Sequence, residues 1–155
     1  MKTGRILIVD DEESIRSTLG DYFSSIGYDV VTAQNGEEAL KKFSPRAFDC
    51  IISDLFMPEI NGMELLKRVR LMDGDVFFLM ITAYPMIDSA INAMKEGAYD
   101  YITKPFHMED IKMKVERALS VKKTEASLKK VRGLFLSLII LIPVVAGLVI
   151  LLLLK

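Results

Sequence analysis

Five short apolar runs recur along the first 120 residues, at 5–9 (RILIV), 29–33 (DVVTA), 49–53 (DCIIS), 76–81 (VFFLMI) and 99–103 (YDYIT). They are mostly β-branched or aliphatic and lack a period-two alternation, which suits strands buried on both faces. Helical patterns separate and follow them, at 13–26, 36–44, 62–72, 86–96 and 107–120. In the last of these Ile111, Val115, Ala118 and Leu119 form one apolar stripe among charges. Strict alternation of strand and helix predicts an α/β fold, a doubly wound five-stranded parallel sheet with right-handed crossovers. Ligands in such sheets bind beyond the carboxyl ends of the strands.

A different pattern closes the chain. Residues 134–154, LFLSLIILIPVVAGLVILLLL, carry no charge, and 21 residues span roughly 31 Å as a helix, about the thickness of a bilayer core. The mean hydropathy of +0.30 comes from this run alone. The rest of the chain averages about −0.15 on the same scale. Pro143 is expected to kink the span, not to break it. Lys122, Lys123, Lys129, Lys130 and Arg132 precede the run and only Lys155 follows it, which predicts the basic flank on the cytoplasmic side. The organisation expected is a domain over 1–120, a basic helical linker over 121–133 and a transmembrane helix over 134–154. That is a single-pass C-terminal anchor in the inner (cytoplasmic) membrane with the domain in the cytoplasm. Val121, Thr124, Leu128, Val131 and Phe135 would line one helix face, either as a short homodimer seam or as a plain linker.

Charge and cysteine usage exclude several classes. The chain of 155 residues has 20 Lys+Arg and 21 Asp+Glu, with one cysteine, Cys50, and one histidine, His107. Neither an internal disulfide nor a Cys/His zinc site is available. Residues 1–120 carry 14 basic and 20 acidic groups, net −6, whereas 121–133 carry 5 and 1, net +4. Without a basic stripe no nucleic-acid partner is expected. Only four strongly apolar residues, Ile6 to Val9, precede Asp10, too few for a signal-peptide core.

Residues with chemistry stand at the ends of four of the five strands. Asp10 and Asp11 follow the first, Asp54 the third, Thr82 the fourth, and Lys104-Pro105 the fifth. Each has a plain structural role available, as a helix cap, a turn or loop polarity. Together they place three carboxylates, a lysine and a hydroxyl on one rim of one sheet. Converging carboxylates repel one another unless a cation joins them, and hard oxygen ligands point to magnesium.

These residues lie in ILIVDDEESIR, IISDLFMPEINGMELL, MITAYP and GAYDYITKPF, and with that spacing residues 5–120 resemble the receiver domain of two-component response regulators. The stretch from Gly74 to Phe106 is most similar to receivers of the nitrogen-regulator type. The resemblance implies a flavodoxin-like sheet of order 2-1-3-4-5. It implies Asp54 as phosphoacceptor, and Asp11, Asp54 and the Phe56 carbonyl as magnesium ligands, with Asp10 acting through water. Lys104 would pair with a phosphoryl oxygen, its peptide bond to Pro105 is expected to be cis, and Thr82 and Tyr101 would form the switch. The partner implied is a sensor histidine kinase or phosphotransfer protein.

The resulting expectation is a signalling module, not an enzyme beyond its own phosphorylation and slow dephosphorylation. It is read as a membrane-anchored stand-alone regulator whose output is phosphorylation-dependent protein interaction; the alternative is a phosphate sink or relay shuttle without a binding output. Phe56 and Tyr84 are bulky where the resemblance places the path of attacking water, so slow loss of the phosphoryl group is expected. Gly62 is expected in a backbone conformation that other residues resist. His107 reads as a helix-start residue and Cys50 as core.

Overall fold

The computed structural model describes residues 4–121. Nine elements run in the order β1 (Arg5–Val9), α1 (Glu13–Ser25), β2 (Asp29–Ala33), α2 (Gly36–Lys42), β3 (Cys50–Asp54), α3 (Gly62–Met72), β4 (Phe77–Thr82), α4 (Ile87–Lys95) and β5 (Asp100–Thr103). A further helix, α5, begins at 108 and continues to the last described residue, 121. The five strands pair in parallel in the order β2-β1-β3-β4-β5. The expected order and strand–helix alternation are both present.

Three predicted strands shift by a residue, and the shift matters for the site. Expected at 49–53, β3 is Cys50–Asp54, and β4, expected at 76–81, is Phe77–Thr82, because Asp54 pairs in register with Ile81. Asp54 and Thr82 are therefore the closing residues of two adjacent strands. Both are held by the ladder and not by a loop. The fifth strand starts one residue late, at Asp100.

Alternate side chains of each strand enter two cores, one per sheet face, as the pleat requires. Leu7, Val9, Ile51, Phe78 and Met80 pack with Ala39, Leu65, Leu66, Val69 and Ala93 from α2, α3 and α4. Ile6, Ile8, Cys50, Ile52, Leu79 and Ile81 pack with Leu19 and Phe23 of α1 and with Ile111, Val115 and Leu119. This two-sided burial explains the uninterrupted apolar runs, and Cys50 is the core residue expected. His107 precedes α5 and its carbonyl oxygen accepts from the Asp110 N–H at 3.0 Å, a helix-start role as expected.

Asparagines set the starts of two helices. The Asn35 side chain accepts from the Glu38 N–H at 2.8 Å, and Asn61 accepts from the Glu64 N–H at 2.9 Å, each satisfying a donor the first turn leaves open. The loop after Asp54 departs from expectation. Its left-handed residue is Glu59, with φ of 65°, and Gly62 is not in that region. Gly62 is required by space instead: a Cβ there would lie 2.2 Å from the Asp54 carbonyl oxygen and 2.9 Å from Met80 Sδ.

The predicted transmembrane helix over 134–154, nearly all of the 121–133 linker and the seam beyond Val121 lie outside the described residues. Among the described residues no helix is long and apolar enough to cross a membrane.

Candidate functional site

The carboxyl ends of β1, β3 and β5 bring two buried acids onto one lysine. Asp10 follows β1 and is 2% exposed; Asp54 ends β3 and is 6% exposed. Lys104 Nζ lies 2.9 Å from Asp54 Oδ1 and 3.0 Å from Asp10 Oδ2. The Lys104 backbone N–H donates to the Thr82 carbonyl at 2.7 Å, and its peptide bond to Pro105 is cis, as expected.

Backbone donors hold the remaining carboxylate oxygens. The Glu12 N–H donates to Asp10 Oδ1 at 2.9 Å, closing a turn just ahead of α1. The Phe56 N–H donates to Asp54 Oδ2 at 2.8 Å. Asp54 Oδ1 is buried and accepts no hydrogen bond of good geometry, leaving only its ion pair with Lys104.

Two anions sharing one cation are short of positive charge. Burial pushes both carboxyls above their ordinary range; Lys104 and the backbone N–H groups pull the other way without cancelling it. Asp11 adds to the upward push on Asp54 by like-charge repulsion. Burial also acts to lower the Lys104 ammonium, but Asp54 and Asp10 outweigh it and hold the lysine above its usual value. The lysine is thus held charged while burial disfavours the charged form of both acids.

The donor chemistry fits magnesium on these grounds: hard carboxylate oxygens, a buried oxygen without a hydrogen bond, and uncompensated negative charge. Asp11 itself is exposed, and among the described residues no three acidic, histidine or cysteine side chains gather closely enough to form a ready metal cage. Asp10, Asp54 and Lys104 are brought together; Asp11 stands at the rim.

Thr82 is fully buried but its hydroxyl does not face the acid pair as a free donor. Oγ1 accepts from the Tyr84 N–H at 3.1 Å and lies 3.4 Å from the Tyr84 carbonyl oxygen. Tyr101 packs against the core beneath α2, α3 and α4, with its hydroxyl buried and without a hydrogen-bond partner. It also lines a surface cleft of about 730 Å³ with Phe106, Met113 and Lys114.

One participant was not singled out from sequence. Glu12 Oε1 lies 3.4 Å from Lys104 Nζ, a third acid on the same ammonium. In the run Asp10-Asp11-Glu12-Glu13 it reads only as helix-start acidity; the proximity to position 104 exists only after folding.

The family model described as "Response regulator receiver domain" matches residues 6–116. The chain is 35% identical over 125 residues to Regulatory protein AtoC of Escherichia coli, covering 81% of this chain and 27% of that protein. Over 120 residues it is 34% identical to the DNA-binding transcriptional regulator NtrC of the same organism, covering 77% and 26%. The chain thus spans about a quarter of the length of these relatives. Among solved structures it is similar to a response regulator receiver domain protein of Clostridium thermocellum, with a TM-score of 0.73, 31% identity and coverage of 77% and 97%. It is similar also to a response regulator protein of Burkholderia pseudomallei bearing a phosphorylated aspartic acid, calcium ion and citrate. There the TM-score is 0.66, with 30% identity and coverage of 81% and 74%.

Proposed function

The chain belongs to the response regulator receiver domain family, and from that premise we propose that Asp54 takes a phosphoryl group from a phosphohistidine on a sensor histidine kinase or phosphotransfer protein. The observation that carries this is the buried Asp54 carboxylate with Oδ1 free of hydrogen bonds and 2.9 Å from Lys104 Nζ. An Oδ1 lone pair attacks phosphorus; the P–N bond to the imidazole breaks as the P–O bond forms, and the leaving imidazole takes a proton from solvent. The Phe56 N–H fixes the carboxylate by holding Oδ2. Lys104, already charged and seated on Oδ1, pairs with an oxygen of the arriving phosphoryl group. Asp11, Asp54 and the Phe56 carbonyl, with Asp10 through water, would hold magnesium, which supplies charge neutralisation for the phosphoryl oxygens.

Thr82 and Tyr101 are the proposed switch. A hydroxyl buried without a partner is costly, so the Tyr101 position is poorly satisfied as it stands and open to rearrangement. The phosphoryl oxygens offer Thr82 a stronger acceptor than the Tyr84 carbonyl it now meets at 3.4 Å. Output is read as binding of a protein to the α4, β5 and α5 face. The charge-free run 134–154 would place the domain at the cytoplasmic membrane, raising its effective concentration near membrane kinases.

Incubation of the full chain with a small phosphodonor and magnesium tests the acceptor. The expected result is one added phosphoryl group that hydroxylamine removes and that Asp54→Asn lacks; phosphorylation persisting in Asp54→Asn overturns the assignment. Capture from native membranes of phosphorylated and unphosphorylated protein tests the output. A partner that distinguishes the two forms is expected, and drainage of kinase phosphate without one supports a sink.

A further inference from the structure

A closed circuit of contacts joins the two strand ends of the site through a pair of rings. Asp54 Oδ2 accepts from the Phe56 N–H, and the Phe56 ring meets the Tyr84 ring edge to face, with centroids 5.8 Å apart at 84°. The backbone of Tyr84 then engages the Thr82 hydroxyl, its N–H donating at 3.1 Å and its carbonyl oxygen lying 3.4 Å away. That hydroxyl is therefore engaged by the backbone of one residue, as acceptor at 3.1 Å and only loosely, at 3.4 Å, on its donor side. Turning toward Asp54 would break the bond that the Thr82 hydroxyl accepts from the Tyr84 N–H.

Phe56 is 48% exposed and Tyr84 68% exposed, so neither is fixed by core packing, yet they lie on different loops and touch. One loop is anchored because Leu55 N–H donates to the Ile81 carbonyl at 2.8 Å and Gly62 N–H to the Leu55 carbonyl at 2.9 Å. Phe56 thus follows a residue hydrogen-bonded through both its N–H and its carbonyl. We propose that the Phe56–Tyr84 ring pair is a positioning clamp that keeps the Thr82 hydroxyl engaged away from the acceptor, so that opening the ring contact is part of switching. The proposal rests on Asp54 as acceptor and on Thr82 as the group that moves. It makes Phe56 and Tyr84 positioning residues, acting through Thr82.

The test uses the full chain, free of metal, as wild type, Phe56→Leu, Phe56→Tyr and Tyr84→Leu. Both rings are substantially exposed, so the core stays intact. The first readout is hydrogen exchange of the residue-84 amide by NMR. Loss of an edge-to-face pair should speed it about three- to tenfold in Phe56→Leu and Tyr84→Leu, while Phe56→Tyr keeps the wild-type rate. The second is the apparent Kd for beryllofluoride with magnesium, which should fall by a similar factor in the two leucine variants as Thr82 is released. Unchanged exchange in both leucine variants overturns the clamp. Faster exchange without tighter beryllofluoride binding overturns its link to switching. Failure of the acceptor reading looks different: wild-type protein then binds no beryllofluoride at all, whereas the exchange measurement still reports whether the rings hold Tyr84.

Discussion

Two carboxylates and one ammonium set the behaviour of the site at the scale of single residues. A carboxyl raised in the folded protein binds its proton more tightly there than in the unfolded chain. Between the unfolded value near 3.8 and the raised folded value, the native state therefore holds more protons, and stability falls as pH rises through that window. Above the folded value the loss is complete and constant. Asp54→Asn removes a buried charge of this kind and should stabilise the metal-free protein at pH 7, on the order of 1 kcal/mol, even as it abolishes phosphorylation. Urea unfolding without magnesium reads the first effect. Lys104→Met does the opposite: it leaves Asp10 and Asp54 buried without their cation and should cost about 2 to 3 kcal/mol at pH 7. That cost should shrink as the pH is lowered and the raised acids take up protons, and a cost independent of pH would count against the shared ion pair.

At the scale of elements, the loop between β3 and α3 carries the tightest geometric demand. Gly62 opens α3 where its Cα faces the Asp54 carbonyl, so a methyl group has no room and the obstacle is backbone. Gly62→Ala should destabilise by about 2 kcal/mol or more and disturb the acceptor loop with it. Asn61→Ala removes the α3 cap and should cost about 1 kcal/mol while leaving the loop path unchanged. Comparing the two by urea unfolding and by phosphorylation rate separates the effects: the alanine at 62 should slow phosphorylation, the alanine at 61 should lower stability with little change in rate. The glycine was visible in sequence, but for the wrong reason. A backbone conformation that other residues resist is the expectation at Gly62, whereas its constraint is a contact between positions eight residues apart.

For the whole molecule, the run over 134–154 differs in composition from the domain sequence before it, being free of charge. If the run spans a bilayer, the full chain stays with membranes after washing in high salt. Leu141→Arg with Val145→Arg should release it, since each arginine near the centre of a span costs about 2.5 to 3.5 kcal/mol. Retention of that double variant, with the domain folded, would instead assign attachment to the domain.

Much of the fold could be read along the chain because it depends on local composition. Uninterrupted apolar runs mark strands covered on both faces, helical stripes mark the crossovers, and strand ends mark the rim where Asp10, Asp54, Thr82 and Lys104 stand. Those facts follow from side-chain periodicity and connectivity alone, as does the presence of a charge-free segment long enough to cross a bilayer. What only the tertiary structure decided are relations between residues far apart in sequence. Lys104 is shared by Asp10, Asp54 and Glu12, and Phe56 meets Tyr84, while Asp11 remains at the rim. Each is a matter of a few ångströms between side chains on different strands and loops. Distances of that size are set by the register of β3 on β4 and by the path of the loops, neither of which a pattern of residue types contains.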